Sequence, residues 1–208
     1  MDEISQLYNP KLAAVIFAPN KGWFEFDGIN VPKYEGRGKT RVLRDYFGDH
    51  TLGDVPDGKH VLAVAHGVEC NHPVVLKSTK DAHRRLRCSD VADATSAAPT
   101  HCPTKRVRHL ETGDEDCLID GRVISNNPSV CALAEALRHC EGATLDNLQL
   151  LSVGTGKPTR YTSGPESRSW GAIGWFTRGR IISLLGNEQV SAYQAMTFCC
   201  PGQYIRVN

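Results

Sequence analysis

The sequence predicts an α/β fold built on a mostly parallel central sheet. Three observations carry that expectation. Apolar runs of strand length alternate with stretches of helical periodicity, and no internal repeat interrupts them. The chain's 208 residues, 40% of them hydrophobic, are enough to bury one real core. In such a fold the functional loops gather at the carboxyl ends of the strands.

Residues 2–17 read as a helix with Ile4, Leu7, Tyr8, Leu12 and Val15 on one face. Residues 19–38 hold Asn20, Gly22, Gly28, Pro32, Gly36 and Gly38, which marks a loop or an irregular hairpin. A short helix over residues 40–47 would be opened by Thr40 as its cap. Two buried strands follow, residues 60–68 (HVLAVAHGV) and 73–77 (PVVLK), separated by turn residues around Asn71. Residues 88–98 are rich in small side chains and read as a helix that ends before Pro99. Residues 118–120 are the end of a strand, and residues 148–153 (LQLLSV) form another that runs into Gly154-Thr155-Gly156.

The helix between those last two strands has the fullest set of signals. Asn127 is a favoured N-cap, and Pro128 suits the first helical position, where no N–H is needed. Val130, Leu133, Ala134 and Leu137 recur at helical spacing. Arg138 and His139 place positive charge in the last turn, and Gly142 can end it. The pair Asp120-Gly121 therefore reads as a turn between a strand and a capped helix, with the Asp120 carboxylate facing a cleft.

Composition excludes several functions. A formal charge of +1 gives no strong global field, and nucleic acid would normally be met by a clearly basic surface. The eight cysteines are irregularly spaced in a chain too long for a small disulfide scaffold. The first ten residues lack the charged start and apolar run of a signal peptide, and no apolar run approaches the ~20 residues that span a bilayer. The expectation is a reduced, soluble, cytoplasmic protein.

Three short motifs occur in order: residues 94–99 (ATSAAP), 118–128 (LIDGRVISNNP) and 151–156 (LSVGTG). With Phe47-Gly48-Asp49 upstream and Trp170-Gly171 downstream, their order and separation resemble those of patatin-like phospholipases over nearly the whole chain. The resemblance implies that residues 1–208 are the later portion of one patatin-like domain. That domain is a three-layer α/β sandwich, here without its N-terminal strands. It also implies a lipid acyl hydrolase acting through a Ser–Asp dyad, with no metal and no cofactor. Asp120 matches the family's aspartate, the proton acceptor, and Gly121 and Arg122 complete the motif around it. The implied substrate is a lipid or phospholipid acyl ester, met by peripheral contact with a membrane.

The chemistry requires both members of the dyad. A serine hydroxyl attacks well only when a base within about 2.6–3.2 Å takes its proton. Desolvation in an apolar pocket strengthens a carboxylate as that base, and backbone N–H groups at a Gly-rich turn stabilise the oxyanion. Here no serine lies in G-x-S-x-G, and the family's Gly-rich oxyanion turn has no counterpart in these residues. The expectation is that the serine comes from a missing N-terminal segment or a second chain, and that this chain alone is inactive. A catalytically inactive lipid-binding or regulatory protein is the alternative, and an interaction module in which Asp120 is only a turn residue is a third reading.

Arg122 stands where the family has a small residue. Beside Asp120 its guanidinium would weaken the carboxylate as a base and crowd a serine. Pointing to solvent it would do neither, and both readings stay open. Residues 154–159 (GTGKPT) are rejected as a phosphate loop, because Leu151 stands at the first glycine and Pro158 at the Ser or Thr. Cys70, His72, His101 and Cys102 match no zinc spacing. Adjacent Cys199 and Cys200 read as small buried hydrophobes. His83, Arg84, Arg85, Arg87, Lys105, Arg106 and Arg108 form a solvated basic face or a headgroup contact. Trp170, Ile173, Trp175 and Phe176, near Arg178 and Arg180, serve core packing or a membrane interface.

Overall fold

The structure, a computed structural model, describes residues 9–20, 31–108, 113, 115–154, 156, 164–177, 189–199 and 202–207. The first part of the expected N-terminal helix, Thr155, residues 157–159, Arg178, Arg180 and Cys200 lie outside them. Two compact units divide the chain after Ile124.

In the first unit, α1 (Pro10–Ile16) is capped by Asn9, whose side chain accepts from the Leu12 amide at 2.9 Å. An isolated antiparallel bridge between Pro19 and Tyr34 closes the irregular segment that follows. Helix α2 (Arg37–Phe47) starts three residues earlier than the sequence suggests. Its N-cap is Gly36 in the left-handed region (φ 76°), so Thr40 is an interior residue and not the cap. Gly38 lets α1 and α2 approach closely, because a Cβ there would overlap the Val15 carbonyl.

The expected mostly parallel sheet is not what forms. Strands β1 (Leu62–Gly67), β2 (His72–Lys77), β3 (Lys105–Arg108) and β4 (Glu115–Asp120) make one sheet in the order β2-β1-β4-β3, with every pairing antiparallel. For β1–β2 and β3–β4 the reason is connection length. Parallel neighbours need a crossover of a dozen residues or more, whereas short links bring a strand straight back beside its predecessor. The link from β1 to β2 turns at Asn71 (φ 49°), and the β3–β4 link is also short. Helix α3 (Asp81–Arg84) and helix α4 (Cys88–Thr95) intervene before β3. Helix α4 packs on β1, β3 and β4 and carries α2 on its other side. Val91 and Ala94 of α4 join Leu52, Ala65, Leu76, Leu86, Val107 and Leu118 in one buried core.

The second unit contains the parallel pairing: β5 (Leu150–Val153) lies beside β6 (Tyr204–Val207), Leu150 opposite Tyr204. Helix α5 (Ser129–His139) packs on β5 and on α8 (Gln189–Phe198). Short helices α6 (Gly164–Ser167) and α7 (Ala172–Thr177) lie between. Asn127 does serve the start of α5, its Oδ1 accepting from the Ser129 amide at 3.0 Å and the Ser129 hydroxyl at 2.5 Å. Pro128 is the flanking cap residue and not the first helical one. Of the expected apolar face, Leu133 is buried, while Ala134 and Leu137 are exposed. Asn127 and Ser129 are both buried, so this helix buries polar groups at its start. They belong to a cluster around the Tyr204 hydroxyl, which receives Asn127 Nδ2 at 3.4 Å. Burial pushes the Tyr204 phenol up, but bonds from Asn127, Ser152, Ser129 and Arg206 outweigh it and hold it below the ordinary tyrosine range.

Candidate active site

Asp120 is the last residue of β4, paired with Ala65 of β1. Its backbone N–H donates to the Ala97 carbonyl at 3.0 Å, which ties the strand end to the turn after α4. Its side chain is half-buried, and Oδ1 accepts from the Arg122 amide at 2.8 Å. That bond opens a 3₁₀ turn over Gly121–Val123, an arrangement in which a short carboxylate caps its own backbone. The other oxygen, Oδ2, has no hydrogen-bond or ion-pair partner among the described residues.

Gly121 is dictated by space. A Cβ at that position would overlap the carbonyl of Val64, so the turn can lie against β1 only with glycine. The same Val64 carbonyl accepts from the Thr95 hydroxyl at 2.6 Å. Residues 94–99 and the Asp120-Gly121 turn, far apart in sequence, are thus brought together by hydrogen bonds to backbone groups. Arg122 is exposed, and no ion pair joins it to Asp120 among the described residues. Its contribution to Asp120 is its backbone amide.

Behind this turn is a charged network with no signature in the sequence. Lys39 of α2 is only 8% exposed, and its Nζ is 3.0 Å from Asp93 Oδ1. The Thr40 hydroxyl donates to Asp93 Oδ2 at 2.7 Å, and Lys105 Nζ lies 2.7 Å from Asp90 and 3.3 Å from Asp93. Burial pushes the Asp93 carboxyl up, but the hydrogen bonds from Thr40 and Lys39 and the charges of Lys39 and Lys105 outweigh it. The net result holds Asp93 below the usual carboxylate range. A cleft of about 470 Å³ is lined by this network together with Gly36, Arg37, Arg44 and Pro103, and its lining does not include Asp120.

The other candidates resolve individually. Gly154 and Gly156 belong to the second unit. Gly48 ends α2, its N–H donating to the Arg44 carbonyl at 2.8 Å, and Trp170 meets Trp175 edge-on at 5.6 Å. Ile173 and Phe176 are exposed, by 81% and 64%, which removes core packing as their role. Much of the basic cluster is engaged locally: Arg84 with the Gly53 carbonyl, Arg87 with Asp49, Arg106 with Glu115, and Lys105 in the buried network. His72 lies 3.0 Å from the Pro73 carbonyl, and the His101 ring lies tilted beside Tyr34, centroids 6.2 Å apart. No group of three or more His, Cys, Asp or Glu among the described residues is placed to hold a metal. No described helix is long and apolar enough to cross a membrane.

The structure defines a mixed α/β module with an Asp-Gly turn fixed at a strand end. No protein-family model matches the chain. Among curated proteins it is 28% identical to patatin-like protein 2 of Arabidopsis thaliana over 175 residues, which cover 76% of the chain and 42% of that protein. It is 24% identical to patatin-like protein 2 of Oryza sativa subsp. indica over 100% of the chain and 59% of that protein. Patatin-like protein 3 of Arabidopsis thaliana is 27% identical over 71% of the chain and 38% of its own length. The chain is similar to patatin-like proteins, and it spans roughly two to three fifths of the length of these relatives.

Proposed function

We propose that this chain supplies the base of a lipid acyl hydrolase that works through a Ser–Asp dyad. Asp120 takes the proton of a serine as that serine attacks an acyl ester, and an acyl-enzyme forms and is then hydrolysed. The supporting observation is the state of the Asp120 carboxylate. Oδ1 is fixed by the Arg122 amide, Gly121 packs the turn against Val64, and Oδ2 has no partner among the described residues. A base needs this combination of a fixed position and an accepting lone pair.

The serine is supplied from outside these residues, on an N-terminal segment or a second chain that carries G-x-S-x-G and the oxyanion donors. The acyl substrate is a lipid or phospholipid, and exposed Ile173 and Phe176 in the second unit suit shallow contact with a membrane surface. The absence of G-x-S-x-G from the 208 residues favours a second reading, a lipid-binding or regulatory chain without chemistry of its own.

The test combines this chain with an elbow-bearing N-terminal segment of a patatin-like relative and follows hydrolysis of a chromogenic acyl ester. Asp120→Asn keeps the amide bond to the turn and removes the base. Turnover should fall by about 10²–10⁴, or roughly 3–5 kcal/mol of barrier, with the melting temperature nearly unchanged. Normal turnover in Asp120→Asn would remove Asp120 from the chemistry. An assembly that takes no fluorophosphonate label and hydrolyses nothing would favour the second reading.

A further inference from the structure

We propose that the buried Lys39–Asp93 ion pair is a positioning device for Asp120, acting through the turn that ends α4. The functional weight of this inference rests on Asp120 being the base.

A buried ammonium such as that of Lys39 is costly unless it is paired and its protons are taken. Besides the Asp93 carboxylate, Lys39 Nζ donates to the Asp93 carbonyl at 3.1 Å, the Ser96 carbonyl at 3.0 Å and the Ser96 hydroxyl at 3.2 Å. All four contacts are therefore with Asp93 and Ser96, in the last turn and at the C-cap of α4. Two of them are with backbone carbonyls at a helix end, where partners within the helix run out. The lysine of one helix thus closes the C-terminus of another, 54 residues away at Asp93. Asp93 in turn is held by the Thr40 hydroxyl from α2 and by Lys105 from β3.

The fixed turn reaches the site at two points. Ala97, with no exposed surface, presents its carbonyl to the Asp120 amide at 3.0 Å. Thr95 binds the Val64 carbonyl, the group against which Gly121 is seated. Both residues of the Asp120-Gly121 pair are thereby placed by groups whose orientation the ion pair sets. Apolar side chains of the same volume could fill the space, but they would not aim the Ser96 and Ala97 carbonyls. A pair with a merely structural role would loosen the whole unit when broken, whereas a positioning pair loosens Asp120 first.

Amide hydrogen exchange on the full 208-residue chain separates these cases, because each amide reports its own local opening. Lys39→Met should raise exchange at Asp120 by about tenfold or more relative to the β1–β2 hairpin amides. Unchanged exchange at Asp120, or an equal rise at Asp120 and across the hairpin, would overturn the proposal. Thr40→Val removes one bond to Asp93 and leaves the charges. It should give the same selective pattern at about threefold, and it decides the question in the same way if the lysine variant does not fold. Exchange is measured without catalysis, so a failure of the base reading in Asp120→Asn turnover is seen separately.

Discussion

The two units solve the strand problem in opposite ways. In the first, two antiparallel hairpins with short links join edge to edge through β1 and β4, and α4 packs on the sheet, so Leu118 is only 2% exposed. In the second, two parallel strands meet across some fifty residues, and Leu151, Val153, Ile205 and Val207 are all exposed to solvent. Parallel strands are ordinarily buried on both faces, because their crossovers lay helices over them. The difference shows that the first unit completes its sheet with its own residues, while the second leaves an apolar strand face open. The fixed Asp-Gly turn follows the same division, since it sits at the end of the self-contained sheet.

The contrast between the units is tested hardest at Asp93. Asp93→Asn at neutral pH leaves Lys39 and Lys105 short of a buried counter-charge and should destabilise the first unit by roughly 3–5 kcal/mol. The direction of the pH effect follows from the depressed folded value of this carboxyl. The stabilisation is fully present above the unfolded value of about 3.9 and is lost as pH falls through the lower folded one. Denaturant melts from pH 7 downward should therefore show an acid loss in the native chain that Asp93→Asn lacks. Parallel acid limbs in the two proteins would show that Asp93 is not the titrating group.

Leu118→Ala should cost about 2–5 kcal/mol, the usual range for emptying a packed site. Gly121→Ala, forced against Val64, should cost about 1–3 kcal/mol and shift amide signals at Val64 and Ala65. A fully stable Gly121→Ala would mean that β1 and the turn are not in close contact. Least of all, Leu151→Thr at 66% exposure should change stability by no more than about 0.5 kcal/mol. It should still lower binding of an apolar dye, since it removes part of an open face. A Leu151 variant as costly as Leu118→Ala would show that the parallel pair is covered in solution, and the contrast between the units would disappear.

How much of this is legible in the sequence depends on the range of the interaction involved. Local signals are readable: Asn127 before α5, Arg138 and His139 in its last turn, Gly142 just beyond it (φ 72°), and the Asp120-Gly121 turn itself. The positions of β1, β2, β5 and the end of β4 are also readable, but β3 and β6 are missed, and strand direction is not legible. It depends on which neighbours pair, and the short link around Asn71 is the one clue that favours a hairpin over a crossover. The charged network is hidden because Lys39 sits in a helix of mean polar character and looks like any surface lysine. Its partner is far along the chain, and only the packing of α2 on α4 makes the pair visible. Thr40 departs from its sequence reading for a related reason, since a hydroxyl that suits a cap bonds instead to a distant carboxylate.

Around Tyr204 a few polar groups share their hydrogens among themselves. A phenol oxygen has two lone pairs and one hydrogen of its own, and here it accepts from Asn127 Nδ2 at 3.4 Å. The neighbouring Ser129 hydroxyl gives its hydrogen to Asn127 Oδ1, and Arg206 donates to the Ser152 hydroxyl. Removing that one oxygen, as in phenylalanine, would take the acceptor from Asn127 Nδ2 while barely altering shape. The segment leading into α5 and the first residue of β6 are thus joined through one phenol oxygen.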